Sequence, residues 1–260
     1  MSLRSSISAI RRSVLSSTHS RLARLSGPIV SFTFDDFPRT AWTAGGAILE
    51  KFGARGTYYT AMGLSDSVGE EGERFRESDL RELLENGHEL ASHTFDHASA
   101  RSMPARAFEA EVDRGRAAVE VFHDAASANF AYPFGDVTLA TKRIVGRSVA
   151  SARGIFPGIN RGEADLNLLR ANSLYGDVEV LPRAQRLVRE NLECAGWLIF
   201  YTHDVQPWPS RYGCTPELLE AVVRHAAESG CEILTVQQAL ESIGVPNGQP
   251  ASQAARSVPA

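Results

Sequence analysis

The chain has 260 residues, 43% of them hydrophobic, with 27 Lys and Arg against 31 Asp and Glu. That length fits one α/β barrel or two smaller domains, and the apolar content supplies a full core. The formal charge of −4 offers no basic excess for nucleic acid, Cys194, Cys214 and Cys231 lack both metal spacing and the even number of a disulfide framework, and no apolar run approaches the roughly 18 residues of a membrane span.

Residues 1–26 carry Arg4, Arg11, Arg12, Arg21 and Arg24 with no acid. Leu3, Ile7, Ile10, Val14 and Leu15 fit one face of a basic helix. No continuous apolar segment of the secretory type follows the basic start. The arm therefore reads as a packing or fraying segment, with a membrane-surface or targeting helix as the alternative, and the expected location is cytoplasmic, with a peripheral membrane position as its alternative. Residues 27–245 are expected to form one domain. Residues 246–260, PNGQPASQAARSVPA, are small, polar and Pro-containing, and read as a disordered tail.

Between those ends, strand-like runs appear in order at PIVSFTF, GTYYTAM, HELASHT, NFAYPF, SVASARG, WLIFYTH and CEILTV. Helical patterns lie between most of them: AGGAILEKFG, SDLRELLENG, PARAFEAEVDRGRAAVEVF, PRAQRLVRENLECAG and TPELLEAVVRHAAESG. Thr215-Pro216-Glu217 opens the last of these helices and Ser229-Gly230 closes it. Strands alternating with helices predict an α/β fold with a parallel sheet, and about seven strands favour a distorted (β/α) barrel.

The first run, SFTFDD, ends a buried strand in two adjacent carboxylates, Asp35 and Asp36. Two anions side by side repel, so either a cation meets them or one works as a base. In parallel α/β folds the working residues stand at the C-terminal ends of the strands. The third run ends in His93-Thr94-Phe95-Asp96-His97, the fourth at Tyr132-Pro133-Phe134-Gly135, and the strand WLIFYT at His203-Asp204. Two imidazoles four residues apart, joined by a carboxylate, make a two-His, one-carboxylate set with open positions, which is how catalytic Zn²⁺ is held. Either histidine alone would read as a core residue. His19, His123 and His225 read as solvated, and His88 as a structural hydrogen-bonding residue. Trp208 in QPWPS reads equally as a buried packing aromatic and as a sugar-stacking one.

Taken in order, TFDD, HTFDH, FAYPFG and YTHD resemble the motifs of the polysaccharide deacetylases, the carbohydrate esterases with NodB homology, over roughly residues 28–240. The resemblance implies a metal-dependent hydrolase that removes an acetyl group from an N-acetylated or O-acetylated sugar, polysaccharide or lipid-linked sugar. By position it implies Asp36, His93 and His97 as ligands of Zn²⁺ or another divalent transition metal. It further implies Asp35 as general base, His203 as general acid and the backbone N–H near Phe134 as part of the oxyanion site. Two positions depart from the family pattern. Ala131 stands where many members carry an arginine that orients the base, and Arg170, in LNLLRANSL, is the expected substitute. Tyr201 stands where leucine commonly lines the acetyl pocket. Allantoinase-like hydrolysis of a non-sugar C–N bond and a catalytically weak carbohydrate-binding relative remain as alternatives.

Overall fold

The computed structural model describes residues 15, 22–25, 27–122 and 129–245. The expectations for the N-terminal arm, the C-terminal tail, His19 and His123 fall outside them, apart from Leu15 and residues 22–25. The described strands are β1 (Leu22–Arg24), β2 (Ile29–Asp35), β3 (Thr57–Thr60), β4 (Val68–Gly69), β5 (Gly72–Glu73), β6 (Glu89–Ser92), β7 (Asn129–Ala131), β8 (Ser151–Arg153), β9 (Glu163–Asp165), β10 (Asn172–Ser173), β11 (Trp197–Thr202) and β12 (Glu232–Ile233).

The main sheet runs β10-β11-β2-β3-β6-β7-β8, all parallel, and β12 pairs with the start of β2. It curls into a half-barrel, and Leu169 bridges to Arg153 beside its β8 edge. The seven strand-like runs of the sequence all lie in this sheet. Its eighth member, the two-residue β10, falls in the LNLLRANSL stretch. The pairs β1–β9 and β4–β5 are antiparallel and separate from it.

β2 explains how one strand serves two environments. All seven of its residues are buried. Val30, Phe32 and Phe34 point outward into a core shared with Leu218, Leu219, Val222 and Val223 of the helix Pro216–Glu228. Ile29 instead joins Tyr59, Ala91, Ala131, Ile199 and Tyr201. Strand period two then places Ser31, Thr33 and Asp35 on the same inward face as Ile29. The inward Ala91 and Ala131 have almost no side chain, so the interior keeps room near the rim.

The helix Pro216–Glu228 starts as its sequence signals, with Thr215 Oγ1 accepting from the Leu218 N–H and Pro216 in the first turn. Two helices were not legible as such. Leu139–Ser148 and Val236–Ser242 each begin with a threonine capping box, at Thr138 and Thr235. In the second case the apolar run CEILTV masked the boundary, because its strand part is only Glu232–Ile233.

Candidate active site

Five of the non-glycine residues with left-handed backbone angles cluster where the strands end: Asp36 (φ 60°), Phe37 (50°), Thr94 (61°), His97 (54°) and Phe134 (60°). Such conformations cost free energy for residues with a Cβ and persist where surrounding structure enforces them. At Asp36 the turn has a specific effect. Asp35 ends the strand facing the barrel interior, and the reversed backbone swings the next carboxylate toward the histidines.

Asp36 is 5% exposed. Its Oδ1 lies 3.0 Å from His97 Nε2 and 3.5 Å from His93 Nε2, while Oδ2 lies 3.5 Å from Arg74 Nη1 and 3.9 Å from His203 Nε2. Despite these neighbours, Oδ1 has no hydrogen-bond partner among the described residues. Burial works to raise the Asp36 pKa, but His97, His93 and His203 outweigh it and hold the carboxyl well below its usual range. His93 Nδ1 is 2.8 Å from the Ala131 carbonyl. A carbonyl only accepts, so Nδ1 carries the proton and the Nε2 lone pair faces Asp36. Burial pushes the His93 imidazole down to about 4, so the ring is neutral at pH 7. A buried acceptor oxygen without a donor, beside an imidazole held with its lone pair inward, is the environment a divalent cation completes. The candidate ligand atoms of Asp36, His93 and His97 lie within 4.8 Å of one another.

Asp35, also 5% exposed, turns away from that set. Its Oδ1 accepts a hydrogen bond from Arg153 Nη2. Arg153 is 1% exposed, with its guanidinium carbon 4.8 Å from the Tyr59 ring centroid and 5.1 Å from that of Tyr201. Arginine tolerates this depth because a planar, weakly hydrated cation can pair with a carboxylate and stack on rings together.

Arg153 corrects the expectation for Arg170. The Arg170 side chain is exposed and donates from Nη1 to the Pro157 carbonyl at 3.1 Å, and Arg170 does not line the cleft of the histidines. The register explains the difference: Arg153 on β8 is paired with Ala131 on β7, one strand over on the same face. The small Ala91 and Ala131 side chains leave space for Arg153 to cross the interior to β2. Tyr201 supports the guanidinium from β11. A sequence signal for Arg153 existed, since it ends the strand SVASAR at the same rim as the other polar residues. Arg74, Tyr175 and Tyr212 gave none, because they come from connecting segments.

Asp35, Asp36, His93, His97, Phe134 and His203 all line one cleft of about 480 Å³, together with Arg74, Tyr175, Tyr201 and Tyr212. The Phe134 ring packs 4.4 Å from that of His97, and His203 lies against Tyr212 at 5.4 Å between centroids. His203 Nδ1 is buried and has no hydrogen-bond partner among the described residues. His88 is elsewhere and structural: its Nδ1 accepts from the Gly56 N–H at 3.1 Å, and its Nε2 lies 3.3 Å from Glu50 Oε1. Among the described residues no helix is long and apolar enough to cross a membrane.

Parallel strands curled into a half-barrel, with a metal-competent Asp-His-His set and a separately held carboxylate at their C-terminal rim, define a class of hydrolytic α/β proteins. The family model described as polysaccharide deacetylase matches residues 23–149 of the chain. That span contains Asp35, Asp36, His93, His97 and Phe134, while Arg153, Tyr201 and His203 lie beyond it. A family 4 acetyl xylan esterase from Clostridium thermocellum, solved with a cobalt ion, superposes with a TM-score of 0.54 at 18% identity, covering 84% of this chain and 93% of its own. The Xyl-CE4 domain of a xylanase from the hindgut metagenome of Trinervitermes trinervoides gives 0.54 at 17%, covering 86% and 95%. The peptidoglycan deacetylase PdaC from Bacillus subtilis gives 0.51 at 13%, covering 84% and 92%. At these identities the likeness carries the fold and leaves the substrate open. No curated protein sequence matches the chain.

Proposed function

We propose that the chain is a metal-dependent deacetylase that removes an acetyl group from an N-acetylated or O-acetylated sugar, as a polysaccharide or a lipid-linked unit. The observation that carries this reading is the separation of the two adjacent aspartates. Asp36 Oδ1 faces two imidazole nitrogens, and Asp35 faces Arg153 instead.

Asp36, His93 and His97 would hold the cation, Zn²⁺ or another divalent transition metal, which when bound supplies a Lewis acid for the acyl oxygen and a more acidic water. Asp35 takes a proton from the attacking water, with Arg153 fixing the direction in which its carboxylate points. A backbone N–H near Phe134 meets charge developing on the acyl oxygen. His203 Nε2 then delivers a proton to the departing amine or alcohol, which would otherwise leave as a poor anion. Tyr201 lends its ring to Arg153, which ties the second departure from the family pattern to the first.

The test is acetate release from a panel of acetylated chito-oligosaccharides, acetylated xylan and non-sugar amides, with metal content measured on the same preparation. Acetate from the sugars is expected. Turnover confined to non-sugar C–N bonds would move the protein to an allantoinase-like role, and a metal-free protein without turnover would leave a carbohydrate-binding relative.

A further inference from the structure

Asp36 and Phe37 are consecutive left-handed residues, and a distant piece of chain clamps the turn they make. The hairpin β4–β5 leads into Arg74 and Phe75. The Phe75 N–H donates to the Phe37 carbonyl at 3.1 Å, and Arg74 bridges to Pro38. Phe37 is fully buried, with its ring centroid 5.3 Å from that of Phe75 and 4.9 Å from that of Tyr58. These contacts fix the backbone; the direction of the Asp36 carboxylate needs a further group. Arg74, 8% exposed, supplies it. Its Nη1 donates to the Asp36 carbonyl at 3.2 Å and lies 3.5 Å from Asp36 Oδ2, while Nη2 donates to Glu71 Oε2 at 2.8 Å. Glu71 is buried as well. A Cβ at Gly69 would come within 2.7 Å of Nη2, so the hairpin backbone packs directly on the guanidinium. The tip of the hairpin is held differently. Glu70 lies 3.6 Å from Arg211 with both side chains largely exposed, a kind of pair that contributes little. Arg211 belongs to a loop folded by the fully buried Asp204, which accepts from Gln206 Nε2 at 2.8 Å, the Ser210 N–H at 2.8 Å and Ser210 Oγ at 2.5 Å. That loop leaves Trp208 88% exposed, so the buried packing role read from QPWPS does not hold.

From this geometry we infer that Arg74 is a positioning residue for Asp36, holding Oδ2 so that Oδ1 alone is left to meet a cation together with His93 and His97. Oδ1 is the buried oxygen without a hydrogen-bond partner among the described residues, and Arg74 is the nearer of the two basic groups at Oδ2. The rigid guanidinium fork suits the task, because one nitrogen reaches both the carbonyl and the carboxylate of Asp36 while the other is anchored on Glu71. Glu71 has a second effect. A lone guanidinium beside a ligand carboxylate would oppose a dication, and the buried Glu71 offsets that charge. The inference rests on the proposed cation site, and concerns how Asp36 presents its ligand atom rather than the reaction that follows.

Titration of the full-length, metal-stripped chain with Co²⁺ tests it, because the visible bands of that ion report affinity and coordination together. The unaltered chain is expected to bind one Co²⁺. Arg74→Met should lower the affinity about 10–100-fold, the usual cost of losing a group that orients a ligand. It should also weaken the visible absorption per bound ion, since a freed Oδ2 can ligate and raise the coordination number. Arg74→Lys keeps the charge without the fork, and should fall between the two in affinity and in spectrum. Arg211→Met removes only the exposed tie at the hairpin tip and should change neither. Circular dichroism and urea unfolding of the same samples give the folded fraction to which binding is normalised. A folded Arg74→Met protein with unaltered affinity and spectrum overturns the inference, as does an equal loss in Arg211→Met, and in both cases the cation site stands. If Arg74→Met does not fold, an Arg74→Lys protein indistinguishable from the unaltered chain overturns it equally. An unaltered chain that takes up no Co²⁺ overturns the cation site itself, and the role of Arg74 with it.

Discussion

The two ends of β6 bury charged or titratable chemistry in opposite ways. At its start, Glu89 accepts from Thr57 Oγ1 at 2.8 Å, Asn129 Nδ2 at 2.6 Å and the Gln237 N–H at 2.9 Å. Ser151 Oγ in turn donates to Asn129 Oδ1 at 2.7 Å, and the Val236 N–H to Thr57 Oγ1 at 2.9 Å. Burial raises the Glu89 pKa while these donors act against it. Just past the other end, His93 belongs to a set in which Asp36 Oδ1, His203 Nδ1 and Arg153 Nε are buried without hydrogen-bond partners. The Glu89 end is complete and acts as a plug. Capacity is left over at the other end, and the backbone there is held in left-handed turns. Burial of a charge does not by itself mark a functional site; several open buried polar groups gathered at one rim do.

The contrast predicts unequal responses. The largest effect is expected from Asp35→Asn, which should lower turnover about 10²–10⁴-fold while metal stoichiometry is unchanged. Asp36→Asn should instead weaken metal binding, since two neutral imidazoles alone must then hold a dication. Parallel metal analysis and kinetics decide this, and loss of metal in the Asp35 variant with retention in the Asp36 variant would reverse the two roles.

Arg153→Met comes next, because it strands Asp35 in the interior without its cation. Breaking a buried pair costs about 3–5 kcal/mol, visible in urea unfolding. A fall in kcat larger than any change in KM, partly rescued by Arg153→Lys, would distinguish positioning of Asp35 from general destabilisation. Full turnover in Arg153→Met would remove it from the site.

His88 sharpens the comparison through pH. Burial pushes its imidazole down from 6.5 to about 4, with Arg55 adding to the effect. The unfolded chain then binds the proton more readily than the folded one. The stability tied to the neutral ring is complete above the unfolded pKa and is lost as pH falls from about 6.5 towards 4, about 3 kcal/mol over the window. His88→Gln should flatten this part of the stability curve relative to the unaltered chain; curves of equal slope would refute it.

The smallest effect is expected from Glu89→Gln, which turns one acceptor into a donor facing donors. It should cost about 1–3 kcal/mol of stability, with kcat and KM at 25 °C unchanged. A loss of activity larger than the loss of folded protein would mean that the plug communicates with the rim.

The sequence by itself determined what is local. Asp35 and Asp36 at the end of an inward-facing strand, His93 and His97 after β6, Phe134 after β7 and His203 after β11 are each readable from a short run, since strand ends in a parallel sheet share a rim. The alternation of strands and helices determined the class of fold for the same reason. What only the tertiary structure decided was which distant residue meets which. Arg153 and Arg170 both follow apolar runs, and nothing adjacent to either in sequence separates them. The separation comes from pairing Arg153 with Ala131, from small side chains at Ala91 and Ala131, and from rings at Tyr59 and Tyr201 on two further strands. Trp208 was equally undecided, because its exposure depends on Asp204 folding the loop back on itself. Contacts of this kind join residues far apart in the chain, and only the curled sheet and the connections across its rim bring them within reach.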